Sequence, residues 1–378
     1  MTVYVVAALS FLMHVGFGGG KMTLSLFALE LNASPAAIGL MMSLMALFPT
    51  LIAVPLGKLS DRIGVRGPIL IGLAGITLAM LLPVVRPGLD TLFVSAMLIG
   101  GSFTFYQVAV SNVIGGIGPP EKRSHNYSML SLGFAGASFL GPLIAGFSID
   151  HFGHRWTFAQ LSIWVVVPLL LVLFRRKLIP DLRVKQANAQ RGSFVDLLKI
   201  RPLRDTFLAG SVLSSAWDLY QFLMPLYGKH LGLSASTIGM VLSAFATAIV
   251  IVRVLIPALA RRYSDGQLIT GAIFVTCLAY LLFPLVSSPL LLACVSFVLG
   301  LGVGAGQPLS MTLIYNLSPP GRAGEASGMR VSFNHMTHVA VPLIFGTMGA
   351  AAGLGPVFLA NGALLLVCGI VSKRSYLK

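Results

Sequence analysis

Apolar residues run along this chain in blocks of about twenty, the length that crosses a bilayer as a helix. Short polar turns separate the blocks. Twelve blocks predict twelve spans, at 3–27, 36–56, 68–86, 90–115, 124–148, 156–174, 206–228, 235–259, 268–287, 289–315, 324–350 and 355–372. In hydrocarbon every backbone polar group must be satisfied within its own segment, so these blocks are helices. The two-residue alternation of a membrane barrel is absent from them. The predicted fold class is an all-α polytopic membrane protein of twelve helices in two pseudo-symmetric bundles of six.

The pseudo-symmetry is read from a repeat. At a shift of two hundred residues, Ser34, Ile38, Gly39, Ser43, Leu59 and Arg62 recur as Ser234, Ile238, Gly239, Ser243, Leu259 and Arg262. Gly100, Gln107, Pro119, Pro120 and Met129 recur as Gly300, Gln307, Pro319, Pro320 and Met329, and Pro142-Leu143-Ile144 with Gly146 as Pro342-Leu343-Ile344 with Gly346. A register held at Gly, Pro and Gln over a hundred residues marks a duplicated bundle, the plan on which many secondary transporters are built.

Composition agrees: 56% of residues are hydrophobic and 10% charged, which excludes a soluble globular protein. The net charge of +15 invites a nucleic-acid reading, but its placement removes that. Twenty Lys and Arg fall in loops on one side of the twelve-span topology, against Arg86, Arg155 and Lys229 on the other. The positive-inside rule accounts for such a split and puts both termini in the cytoplasm. The N-terminus lacks the basic region and short apolar core of a removable signal. Cys277, Cys294 and Cys368 all lie inside predicted spans and offer neither a disulfide framework nor a zinc spacing.

One long polar stretch divides the chain, giving an N-terminal bundle at 1–174, a basic linker at 175–204 and a C-terminal bundle at 205–378 with a short tail. Its end places Phe194, Leu197, Leu198 and Arg201 on one helical face. That face fits either a short amphipathic helix on the membrane surface or an ordinary basic linker. The other loops are too short for a soluble catalytic domain, and no nucleophile–base pair or metal cluster appears, so no enzyme is expected.

Between the second and third spans stands Gly57-Lys58-Leu59-Ser60-Asp61-Arg62-Ile63-Gly64-Val65-Arg66. Its glycines suit a tight turn, Asp61 suits a helix N-terminus or a basic partner, and Arg62 and Arg66 would anchor the loop. The segment resembles the signature loop of the major facilitator superfamily, G-x-L-a-D-R-x-G-r-K/R, at its usual place. The equivalent site, Pro257-Ala258-Leu259-Ala260-Arg261-Arg262, keeps the leucine and arginine and lacks the acid. In the fifth span, Gly141-Pro142-Leu143-Ile144-Ala145-Gly146 resembles the antiporter motif G-P-x-x-G-G, with Ala145 in place of one glycine; small-residue helix packing explains the same residues. The resemblance is to drug/proton antiporters of bacteria. The arginine such exporters carry early in the fourth span is missing between Leu92 and Gly101.

Ionisable residues inside spans face a cavity or a partner, because a central Lys, Arg or Asp costs about 2.5–3.5 kcal/mol to insert. Four lie there: Lys21, Asp218, Arg253 and Arg330. Lys21 and Asp218 fall three residues apart in the repeat, on the first and seventh spans, which line the central cavity in the resembling fold. An ion pair between them would be released by protonating Asp218; a static packing pair is the alternative. Tyr220 and Gln221 would share that face. Gln107 and Gln307, equivalent on the fourth and tenth spans, are expected either to hold a solute or to bond to neighbouring helices. Arg253 and Arg330 are expected to act in gating or structure, satisfied by snorkelling or by Asp61 and Glu325. His335 and His338 are three apart on one face, suited to proton shuttling or to interhelical bonding.

The expected protein is a monomeric secondary transporter in a bacterial inner membrane, moving a small organic solute by alternating access. Proton-coupled efflux is the preferred reading, driven by a proton gradient with no bound cofactor, metal or nucleic acid. An importing symporter and a non-transporting membrane sensor or scaffold remain as alternatives.

Overall fold

The computed structural model describes residues 2–47, 64–117, 123–175, 178–179, 194–319 and 322–376. Among them the helices, in chain order, are α1 (Thr2–Glu30), α2 (Pro35–Leu47), α3 (Arg66–Val85), α4 (Leu89–Gly116), α5 (Arg123–Phe174), α6 (Phe194–Lys199), α7 (Arg201–His230), α8 (Ala235–Leu259), α9 (Asp265–Leu282), α10 (Pro289–Leu317), α11 (Ala323–Ala352) and α12 (Leu354–Tyr376). No strand occurs among the described residues. Eight helices are long and apolar enough to cross a membrane. α7 and α11 match them in length but carry interior charges. The fifth and sixth predicted spans are two arms of α5, broken at Gly153, whose φ of 76° favours glycine. The arms fold back on each other, since Ser148 Oγ reaches both Thr157 Oγ1 (2.8 Å) and Gln160 Oε1 (2.5 Å).

The repeat is visible contact by contact. Ala37 N–H donates to Ser34 Oγ (3.2 Å), and Thr237 N–H donates to Ser234 Oγ (3.2 Å), so each half caps its second helix with the same serine. Ahead of each cap stands a left-handed residue, Asn32 and Gly232. Gly100 of α4 meets the Met45 carbonyl of α2, and Gly300 of α10 meets the Phe245 carbonyl of α8, two hundred residues on. Gly72 lies on Ser102, and Gly302 lies on Ala272, with the small partner exchanged.

Contacts divide the chain into two compact units. Unit 1 is Met1–Ala187 with Gly228–Ser243, and unit 2 is Asn188–Tyr227 with Ala244–Lys378. Within unit 1, α1 packs along α5 where Gly19 faces Gly141 and Leu161, and Ser10 Oγ bonds Tyr106 on α4 (2.9 Å). His14 bonds the Ser10 carbonyl (2.8 Å) among Phe103 and Phe134. Within unit 2, α9 holds α12 through Thr270 and Ser372 (2.7 Å), and Tyr280 donates to the Ala216 carbonyl of α7 (2.5 Å). The helix α6 buries Leu197 in a cluster with Leu203, Phe207, Ile314, Ala326 and Met329. Leu197 and Leu198 of its apolar face therefore pack into the interior of unit 2.

Candidate functional site

The buried acid of unit 2 has a partner. Asp218 projects from α7, between residues held in the core, and its carboxylate is 8% exposed. His338 of α11 places Nδ1 2.5 Å from Asp218 Oδ2, with its own side chain 39% exposed. The His335 ring lies 6.1 Å from the His338 ring, in an edge-on arrangement. The contact brings a buried carboxylate against a part-exposed imidazole, two groups that can each carry a proton.

α11 carries this chemistry as a stripe. Arg330, Asn334 and His338 are four residues apart and so share a face. Arg330 is 7% exposed, and its Nε is buried without a hydrogen-bond partner, as is Asn334 Oδ1. Glu325, the expected acid for Arg330, is engaged by Arg322 through two bonds, Nε to Oε2 (2.7 Å) and Nη2 to Oε1 (2.9 Å). On the neighbouring helices, Arg253 Nη2 of α8 donates to Gln307 Oε1 of α10 (3.2 Å), while Arg253 Nε is buried without a partner. Gln307 is thus spoken for by a guanidinium. Its repeat mate Gln107, half-buried in unit 1, has Oε1 buried and unpartnered.

Of the other expected residues, Tyr220 is fully buried against Phe245 (4.4 Å) and Phe283 (5.8 Å), so its ring belongs to the core of unit 2. Gln221 is half-buried on α7, and Lys21 is half-buried on α1 in unit 1. Gly57, Asp61 and Arg62 lie outside the described residues. Gly64 has a φ of 84°, the left-handed conformation that favours glycine, and Arg66 donates through Nη2 to the Val172 and Leu173 carbonyls (3.0 Å each). A cation at the carboxyl end of α5 satisfies orphan carbonyls and complements the helix dipole.

The glycine-proline segment of α5 is a packing surface in unit 1. A methyl group at Gly141 would lie 2.9 Å from the Gly19 nitrogen, one at Gly146 would lie 2.3 Å from the Ala235 carbonyl, and Gly239 abuts the Pro142 carbonyl. Just beyond, Asp150 accepts from the first amides of α8, Ala235 N–H to Oδ1 (3.0 Å) and Ser236 N–H to Oδ2 (2.8 Å). A carboxylate lent by another helix thus caps α8. Sequence reading missed this cap. Its signal was an acid at the end of the fifth span whose repeat mate is Ala350. Asp150→Ala is expected to destabilise the folded protein by about 1 kcal/mol, read as a lower thermal unfolding midpoint in detergent. Glu30 and His154, also passed over, are in carboxylate–imidazole contact beside the Phe27 ring.

With this geometry in place, comparison with known proteins decides the family. The model of the Major Facilitator Superfamily matches residues 6–342. The chain belongs to the major facilitator superfamily. It is similar to Multidrug resistance protein MdtG of Klebsiella pneumoniae (strain 342), 26% identical over 346 residues that cover 89% of this chain and 83% of that protein. MdtG of Dickeya zeae (strain Ech586) is also 26% identical, over 338 residues covering 87% and 82%. Among solved structures, the nucleoside transporter NupG (D323A mutant) aligns with a TM-score of 0.82 over all of both chains at 15% identity. A POT family transporter in complex with a thioalcohol-conjugated peptide aligns at 0.81, covering 98% of this chain and 94% of that one at 14% identity. These structural likenesses establish the fold. The protein is an integral membrane transporter of this superfamily, not an enzyme, and its partners are the bilayer and a small-molecule substrate.

Proposed function

We propose that this superfamily member is a proton-coupled exporter of a small organic solute, acting as a monomer in a bacterial inner membrane with both termini in the cytoplasm. The observation that carries the reading is the Asp218–His338 contact, in which a buried acid of α7 meets a half-exposed histidine of α11 in unit 2. Ionisable groups at membrane depth are costly and mark ion or substrate pathways. Here the groups facing Asp218 include Tyr280 on α9 and His338 on α11, with His335 beside His338. Proton uptake changes the net charge of the pair and the strength of its contact, so the forms with and without the proton favour different packings of α7 against α11. A ligand that prefers one packing is thereby linked to the proton.

The twenty-to-three placement of Lys and Arg supports the orientation. The relatives named for multidrug resistance support export. Everted inner-membrane vesicles test direction. Energised vesicles holding the protein should accumulate a solute from a panel of labelled organic ions, and a protonophore should empty them. Uptake confined to right-side-out vesicles would instead support the importing symporter.

A further inference from the structure

We propose that the transported solute is an organic anion whose carboxylate or phosphoryl head is held in unit 2 by Arg253 and Arg330. This rests on the transporter reading above and adds the substrate class. Sequence alone placed the two arginines in gating or structure, on the expectation that acids would satisfy them. Every acid of unit 2 is otherwise placed. Glu325 is bound by Arg322, and Asp205 by Arg201, Arg204 and Ser375. Asp196 lies against Lys199, and Asp265 sits in the first turn of α9. Asp218 is taken by His338, eight residues from Arg330 along α11 and so about 12 Å away along the helix axis. Among the described residues, neither Arg253 nor Arg330 forms a salt bridge with a carboxylate.

Snorkelling does not account for them either. Arg330 is more than nine-tenths buried, with Nε unpartnered, and Arg253 reaches only the neutral Gln307 amide. The packing places them on neighbouring levels. Gly306 of α10 lies on Leu213 of α7, Ser310 lies by Gly210, and Ile314 shares a cluster with Phe207 and Met329, the residue next to Arg330. Gln307, which holds Arg253, is therefore one to two turns from the level of Arg330, roughly 5–10 Å along the axis. Two guanidinium groups on neighbouring levels of unit 2, neither paired with a carboxylate among the described residues and with the Asn334 amide on the same stripe as Arg330, suit an oxyanion head far better than a lipophilic cation.

The test is ligand binding to the purified full-length protein by calorimetry, with no gradient imposed. The probes are benzoate and phenylphosphonate, and tetraphenylphosphonium serves as the cationic control. The wild type should bind one or both anions. Arg330→Gln and Arg253→Gln should each weaken that binding by about thirtyfold or more, while Arg330→Lys retains part of it. Gel filtration identifies any variant that fails to fold, and the other arginine then carries the comparison. Binding of the cation alone, or anion binding unchanged in both Gln variants, would overturn the assignment. So would anion binding that appears only after Asp61→Asn, because the loop acid would then be the true partner of Arg330. Anion binding without flux in everted vesicles would keep this site and reject the exporter; proton-driven flux of cations alone would do the reverse.

Discussion

Replacing Gly100 with alanine is expected to prevent stable folding of unit 1. The added carbon would lie 1.8 Å from the Met45 carbonyl oxygen and 2.7 Å from its carbon, so α4 must withdraw from α2. The obstacle is backbone, not the tip of a flexible side chain, and the expected penalty is about 3 kcal/mol or more, at or above the top of the usual overpacking range. The repeat supplies an internal comparison. At Gly300 the nearest atom is the Phe245 carbonyl at 2.4 Å, so Gly300→Ala should destabilise less while acting at the equivalent contact. Gly271 on α9 has nothing within 4 Å, and Gly271→Ala should be neutral or stabilise by about 0.5–1 kcal/mol. Fluorescence-detected gel filtration and thermal unfolding rank the three variants. A Gly100→Ala protein as stable as Gly271→Ala would refute the close approach of α4 and α2.

The second large effect concerns Asp218. Asn is nearly isosteric with Asp and cannot ionise, so Asp218→Asn should leave a folded protein that binds its solute but no longer couples its movement to protons. His338→Ala removes the other member and leaves a buried carboxylate unpaired, which is destabilising on its own account. The informative comparison is therefore the Asn variant, with His338→Gln as its counterpart. Wild-type flux should depend on the proton gradient imposed across the membrane. The Asn variant should lose that dependence while retaining exchange of labelled for unlabelled solute across a membrane with no gradient. Loss of exchange as well would place Asp218 in solute binding or folding rather than in coupling.

Much of the architecture was legible because it rests on local chemistry. Blocks of about twenty apolar residues give the helices, and residues that recur in the two-hundred-residue register, Ser34 with Ser234 and Gly100 with Gly300, make equivalent contacts. The signature loop and the glycine-proline segment pointed to the family. Less of the site could be read. Periodicity gives the depth of Asp218 and the face of His335 and His338, but not which helix lies opposite, and so not the pairing of α7 with α11. The same gap hid the capture of Glu325 by Arg322, which leaves Arg330 without its expected acid. Tyr220, adjacent to useful chemistry in the sequence, points into the Phe245–Phe283 core because two residues along a helix turn through about 200°. Asp150 acts across a tertiary contact with the start of α8, which composition alone does not place.

The most direct measurement is flux in proteoliposomes under an imposed proton gradient, wild type beside Asp218→Asn, with a solute that the wild type binds. Concentrative flux in the wild type that collapses with a protonophore, and is lost in the variant while gradient-free exchange survives, is the predicted result. Equal flux in both proteins, indifferent to the gradient, would contradict the account and leave the Asp218–His338 pair as structure alone.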